Sequence, residues 1–177
     1  LVGILNYKNG NIIIDEKFQL KKIFNENKNL FGYIPQSTFL LDDTIKKNIA
    51  FGEDEINFDE ELFWNSLKMS KIENFVQSLP NKENEIVGER GIRLSGGQIQ
   101  RLGIARALYH QADVLVFDEA TSSLDGITEK IIMEAINKFR GQKTIILIAH
   151  RIKTVQKCDQ IFFIDKKKVV DQGTYKH

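Results

Sequence analysis

Two unbroken apolar runs constrain this chain more than any other feature: Val114-Leu115-Val116-Phe117 and Thr144-Ile145-Ile146-Leu147-Ile148-Ala149. A strand with one wetted face alternates apolar and polar residues, whereas a strand covered on both faces of a parallel sheet does not. Around these runs the period becomes that of a helix. Residues 98–110 place Ile99, Leu102, Ala105 and Leu108 on one face, and residues 129–139 do the same with Ile132, Ala135, Ile136 and Phe139. Helices alternating with fully buried strands predict an α/β domain with a mainly parallel sheet and flanking helices.

The remaining segments extend that frame. Lys8-Asn9-Gly10 is a turn signal before a short strand over residues 11–15, and residues 30–34 form a strand that Pro35 stops. A helix is expected over residues 42–51, closed by Gly52. From Asp59, Leu62, Phe63 and Leu67 recur at helical spacing, and Ile72, Phe75, Val76 and Leu79 continue it to Pro80. Residues 37–93 therefore read as a small helical subdomain set into a core made of residues 1–36 and 94–177. Residues 161–164 and Val169-Val170 are the arms of a closing hairpin, with Lys166 to Lys168 as its solvated turn.

Bulk properties exclude several classes. At 177 residues with a net charge of +1, the chain offers no electrostatic reason to bind nucleic acid or an anionic membrane. Cys158 is the sole cysteine, so an intrachain disulfide is impossible and a reducing compartment fits. No apolar run approaches the roughly 20 residues that span a bilayer, and the first five residues are too short and lack the basic lead of a signal peptide.

Parallel sheets bind ligands at the carboxyl ends of their strands. One buried run leads into Asp118-Glu119 and the other into His150. Adjacent carboxylates there suit a hydrated Mg²⁺ held by one and a water oriented by the other, or else a plain helix cap. Ser95-Gly96-Gly97 at a helix start offers free N–H groups, a favourable dipole and a hydroxyl to an anion; an ordinary cap is again the alternative.

Taken together, Tyr33-Ile34-Pro35-Gln36, Leu94-Ser95-Gly96-Gly97-Gln98, Val114 to Glu119, Ser122-Ser123-Leu124-Asp125 and Ile148-Ala149-His150-Arg151 closely resemble, in set and order, the nucleotide-binding domain of ABC ATPases. The resemblance implies the P-loop NTPase-like fold of that family. It also implies ATP and Mg²⁺ as ligands. By it, Gln36 is the Q-loop glutamine and Asp118 the Walker B aspartate, the two holding Mg²⁺ largely through water. Glu119 is the catalytic glutamate and His150 the switch histidine at the γ-phosphate. Ser95, Gly96, Gly97 and Gln98 form the signature loop, and Asp125 is the D-loop aspartate. Two such domains would sandwich two ATP molecules head to tail, so a second nucleotide-binding domain is an implied partner and a homodimer is expected.

Two further stretches resemble exporters more narrowly. Glu85-Ile86-Val87-Gly88-Glu89-Arg90-Gly91 resembles the x-loop, and the segment from Phe39 to Ile49 resembles the one that meets the membrane domain's coupling helices. A place on the cytoplasmic face of a membrane, joined to a transmembrane domain, follows from that resemblance. The competing reading is an ABC ATPase acting in DNA repair or translation; the short insert without coiled-coil heptads or a basic run counts against it. Gln111 stands where the family often has proline.

The chain contains no G-x-x-x-x-G-K-[ST], and Gly141-Gln142-Lys143-Thr144 lacks the first glycine and precedes a strand. The phosphate loop is expected immediately before Leu1, with Leu1 to Leu5 resembling the end of its helix. A sheet lacking that internal strand is expected to expose apolar edge and face. These residues by themselves are therefore predicted to bind MgATP poorly and not to hydrolyse it. Isothermal titration of the 177-residue chain checks this, and a micromolar affinity would contradict it.

Overall fold

The computed structural model describes residues 10–20, 29–91, 93–121 and 124–175. The expected helix end at Leu1 to Leu5, and the residues Lys8, Asn9, Ser122 and Ser123, lie outside them. A minimal antiparallel hairpin comes first, β1 (Ile13–Ile14) with β2 (Phe18–Gln19). Asp15 and Glu16 turn it with φ of 52° and 57°, the positive pair that a type I′ turn demands. That turn ends the expected 11–15 strand after two residues.

The central sheet contains β3 (Phe31–Ile34), β4 (Val114–Asp118) and β5 (Thr144–Ile148), parallel and in the order β3-β4-β5. Ile34 pairs with Phe117 and Asp118 with Ile148, so all three strands finish at one edge. Gln36, Asp118-Glu119 and His150 stand at or just past those three ends. Leu115, Val116 and Phe117 are buried, as an apolar central strand should be. β5 corrects the expectation of a second fully buried strand. Its ends are exposed and its middle half-buried, with Ile148 at 48% exposure, because among the described residues it pairs on one side only.

Helix starts follow their caps. Thr44 caps α1 (Ile45–Ile49) and Asp59 caps α2 (Glu60–Met69), after which α3 (Glu73–Ser78) completes the insert. Helix α4 (Gly96–Tyr109) starts two residues before the expected position, because Ser95 caps it; α5 (Gly126–Asn137) starts three before, because Asp125 does. A short α6 (Ile152–Val155) precedes the hairpin β6 (Ile161–Asp165) and β7 (Lys168–Gly173). Lys166 and Lys167 turn that hairpin with φ of 45° and 65°. Phe162, Phe163, Ile164, Val169 and Val170 on its arms are all exposed.

Two apolar cores share α4. On one side, Ile104, Ala107 and Leu108 pack with Ile34, Leu115 and Phe117 of the sheet and Ile132, Ile136 and Phe139 from the α5 region. On the other, Leu102, Ala105 and Tyr109 pack with Ile45, Ile49, Phe63, Leu67 and Val76 of the helical insert. Trp64 packs edge-on against Phe63 at 5.3 Å. His110 ends α4 beside Glu53 at 3.8 Å, and its burial pushes its pKa down.

The end of α4 explains Gln111. Its N–H donates to the Leu108 carbonyl and that of Ala112 to the Ala107 carbonyl, the two bonds of a Schellman motif. Gln111 takes the left-handed position at φ 55°, which proline cannot adopt. Gln111→Gly should therefore raise stability by about 0.5–1 kcal/mol and Gln111→Pro should lower it by more; denaturant unfolding of the two variants checks both signs.

Candidate functional site

The site is built at the carboxyl ends of the three parallel strands. Asp118 closes β4 half-buried, and the Tyr33 hydroxyl donates to its Oδ2 at 2.8 Å. Tyr33 is in register with Val116, so its phenol reaches along the sheet to the carboxylate two residues on. That hydrogen bond is the main cause that holds the Tyr33 phenol above its usual pKa, followed by burial and the carboxylate's charge.

Glu119 leaves the sheet in a left-handed conformation with φ 50°. Such a conformation is costly for a residue with a Cβ and needs surrounding support. The support is visible: the Glu119 N–H donates to the Ile148 carbonyl at 3.0 Å, which keeps its backbone tied to β5. The side chain then meets His150, with Oε1 at 2.6 Å from Nε2. His150 is largely exposed, while the Glu119 carboxylate is more sheltered. Residues 31 positions apart thus share one contact because β4 and β5 end together.

The donors present favour a mostly hydrated cation. Among the described residues no group of three or more His, Cys, Asp or Glu side chains could hold a metal. Asp118 has Oδ2 engaged by the Tyr33 hydroxyl. Mg²⁺ keeps several waters and takes one or two carboxylates together with nucleotide phosphates, so this sparse donor set fits it. Gln36 is exposed just past β3, with its backbone carbonyl accepting from the Gln100 side chain at 2.5 Å.

A second group of expected residues gathers at the starts of α4 and α5. Ser95 Oγ accepts the Gln98 N–H at 3.3 Å, and Gln98 Oε1 accepts the Ser95 N–H at 2.7 Å, a complete capping box. The cap is therefore formed, and Ser95 Oγ, which accepts here, keeps its own proton as a donor. Gln98 has its carbonyl oxygen committed to the cap. The two glycines differ. Gly96 is exposed, with only Leu124 near at 3.9 Å from a notional Cβ, whereas a Cβ on buried Gly97 would collide with Thr128. Asp125 Oδ1 accepts the N–H groups of Ile127 and Thr128 at 3.0 Å each, and the bonds from Thr128 hold its carboxyl below the usual range.

Sequence reasoning did not single out Tyr33 as a partner of Asp118, nor Gln100 and Arg106 as ligands of the Gln36 segment. Gln100 carried a faint signal, since a glycine inside the same helix at position 103 marks a close approach.

A parallel α/β sheet with an acid pair past its central strand, a histidine past the next and a glycine-rich helix start defines a nucleotide-binding fold of the P-loop type. Comparison with known proteins sharpens this. The sequence profile of the family described as "ABC transporter" matches residues 1–122. The chain is 40% identical over 150 residues to ABC transporter B family member 6 of Dictyostelium discoideum, covering 85% of this chain and 22% of that protein. It is 38% identical over 176 residues to the ATP-dependent lipid A-core flippase of Saccharophagus degradans, covering 99% of this chain and 30% of that protein. Among solved structures, a bacterial Atm1-family ABC exporter with ATP bound superimposes with a TM-score of 0.88 at 34% identity, covering 99% of this chain and 31% of that one. The chain belongs to the ABC transporter family, and its fold is that of the nucleotide-binding domain of ABC exporters. It spans between a fifth and a third of the length of these relatives.

The differing environments of the two glycines are testable. Gly97→Ala should destabilise the fold by about 1–3 kcal/mol through overpacking against Thr128, while Gly96→Ala should leave stability intact; thermal melts of the two variants separate the cases.

Proposed function

We propose that this chain supplies the ATP-hydrolysing machinery of an ABC exporter. The observation that carries the reading is the Glu119–His150 contact beside Asp118 at the shared end of β4 and β5. Glu119 accepts a proton from, or orients, the water that attacks the γ-phosphorus, and the bond to the β-phosphate oxygen breaks to give ADP and phosphate. His150 Nε2 meets Glu119 Oε1 at 2.6 Å, which holds the two side chains together past the ends of β4 and β5. With nucleotide bound, His150 would stabilise charge on the transferring phosphoryl group. Asp118 and Gln36 would hold Mg²⁺ largely through water, and the ion would supply neutralisation of phosphate charge. Of the roles proposed, that of Gln98 is the most indirect: it braces Ser95.

Ser95, Gly96 and Gly97 present a capped helix start to the ATP of a second nucleotide-binding domain, with Asp125 at the adjoining helix start. Exposure of Ser95 and the open space at Gly96 support this. In this reading residues 37–93 form the helical subdomain, and residues 39–49 and 85–91 meet a transmembrane domain at the cytoplasmic face of a membrane. Phe39 in the first of these segments is exposed, as is Phe51 two residues beyond it, as a docking face requires. Among the described residues no helix is long and apolar enough to cross a membrane, so the transport path lies in that other domain. Names among the relatives, a multidrug transporter and a lipid A-core flippase, support a reading with lipid, lipid-linked or other hydrophobic or peptide cargo over a role in DNA repair or translation.

Glu119→Gln in the exporter that carries this chain should leave ATP affinity within about twofold and cut turnover by about 10²-fold or more. Equilibrium ATP binding and phosphate release measured side by side check this, and unchanged turnover removes Glu119 from the catalytic role.

A further inference from the structure

Helix α4 holds the segment around Gln36 with side chains that no motif assigned. The Gln100 amide is 3% exposed. Its Nε2 donates to the carbonyls of Pro35 at 3.2 Å and Gln36 at 2.5 Å, and its Oε1 accepts the Thr38 hydroxyl at 2.8 Å. Both amide protons and one carbonyl lone pair are thereby used, all on residues 35–38. One turn along, a Cβ on Gly103 would lie 2.7 Å from Thr38 Oγ1, so backbone and side chain meet there without room to slide. One turn further, Arg106 donates to the carbonyls of Phe39 at 3.1 Å and Asn48 at 2.7 Å. Gln100, Gly103 and Arg106 are spaced i, i+3, i+6, which puts them on one helix face. That face grips the strand-to-insert connection mostly by its backbone, so it fixes the path of the chain whatever side chains the connection carries.

The same helix begins at Ser95, locked by its capping box about 7–8 Å of helix rise before Gln100. We propose that Gln100 is a positioning residue that ties Gln36 of its own nucleotide site to the Ser95-Gly96-Gly97 loop presented to the partner's site. A displacement of Gln36 on nucleotide engagement drags α4 through Gln100 and re-aims the loop at its start. Occupancy of one site is thereby felt at the other through a connection inside a single chain. This inference rests on the roles proposed above for Gln36 and Ser95.

The test uses the exporter that carries this chain, in four forms: native, Gln36→Ala, Gln100→Leu and the double variant. Gln100→Leu should lower kcat by about three- to tenfold with KM for ATP changed less than twofold, because no ATP contact is removed. Gln36→Ala should lower kcat as well, and Gln100→Leu added to it should cost little more, because both act through one displacement. A merely structural role for Gln100 predicts multiplied losses in the double variant, tracking the melting temperature, and that result overturns the inference. Unchanged kcat in Gln100→Leu overturns it too. If Gln36→Ala itself is silent, the role of Gln36 falls and this inference with it; if Gln36→Ala is impaired and the effects multiply, only this inference falls. Should Gln100→Leu fail to fold, Thr38→Val removes one of the same hydrogen bonds at an isosteric position. It should show a smaller kcat loss, about two- to threefold, with the same non-additivity toward Gln36→Ala.

Discussion

The pairing of β4 between β3 and β5 is the constraint on which everything else hangs. A parallel register aligns strand ends, so the residues just beyond Ile34, Asp118 and Ile148 emerge side by side. An apolar central strand makes that register costly to slip, because a shift by one residue would turn Leu115 and Phe117 away from the helices that cover them. The Glu119 backbone then adds a further bond to β5 beyond the last strand pair. Polar chemistry at the sheet edge is thus positioned by apolar packing behind it.

Helix α4 has the second organising role. It lines both hydrophobic cores, so neither the sheet nor the helical insert can be repacked without it. Its buried Gln100 and half-buried Arg106 spend their polar groups on the backbone that joins the two. Buried polar side chains are tolerated only when satisfied, and among the described residues no buried side-chain nitrogen or oxygen lacks a partner. A satisfied polar contact is directional where apolar packing is not. It therefore specifies one path for residues 35–48 among the many that packing would accept.

Where periodicity is strong, much of this is legible in the sequence. The apolar residues placed on helix faces at 102, 105, 108, 132, 135, 136 and 139 are buried and Ile99 is half-buried, and the hairpin around Lys166 and Lys167 forms where a charged triplet separates two apolar runs. Periodicity places the starts of α4 and α5 too late because Gly96, Gly97 and Gly126 weaken the helical pattern, while the caps at Ser95 and Asp125 overrule propensity. It overestimates the burial of β5 because an apolar run reports what a strand is suited to, whereas exposure depends on which neighbours it has. Gln111 looks like a loop detail in the sequence; only its backbone angle shows that proline is excluded there.

The amino-acid order by itself determined most of the succession of strands and helices, though not β2 or α6, together with the family resemblance and the residue types that carry the chemistry. Those depend on short-range periodicity and on motifs a few residues long. Tertiary structure decided which of these residues touch. Tyr33 reaches Asp118 across 85 positions, Gln100 reaches Gln36 across 64 and His150 reaches Glu119 across 31. Contacts at such separations are set by sheet register and helix packing, which no local pattern encodes, and the same packing closes Gly97 against Thr128 while leaving Gly96 exposed.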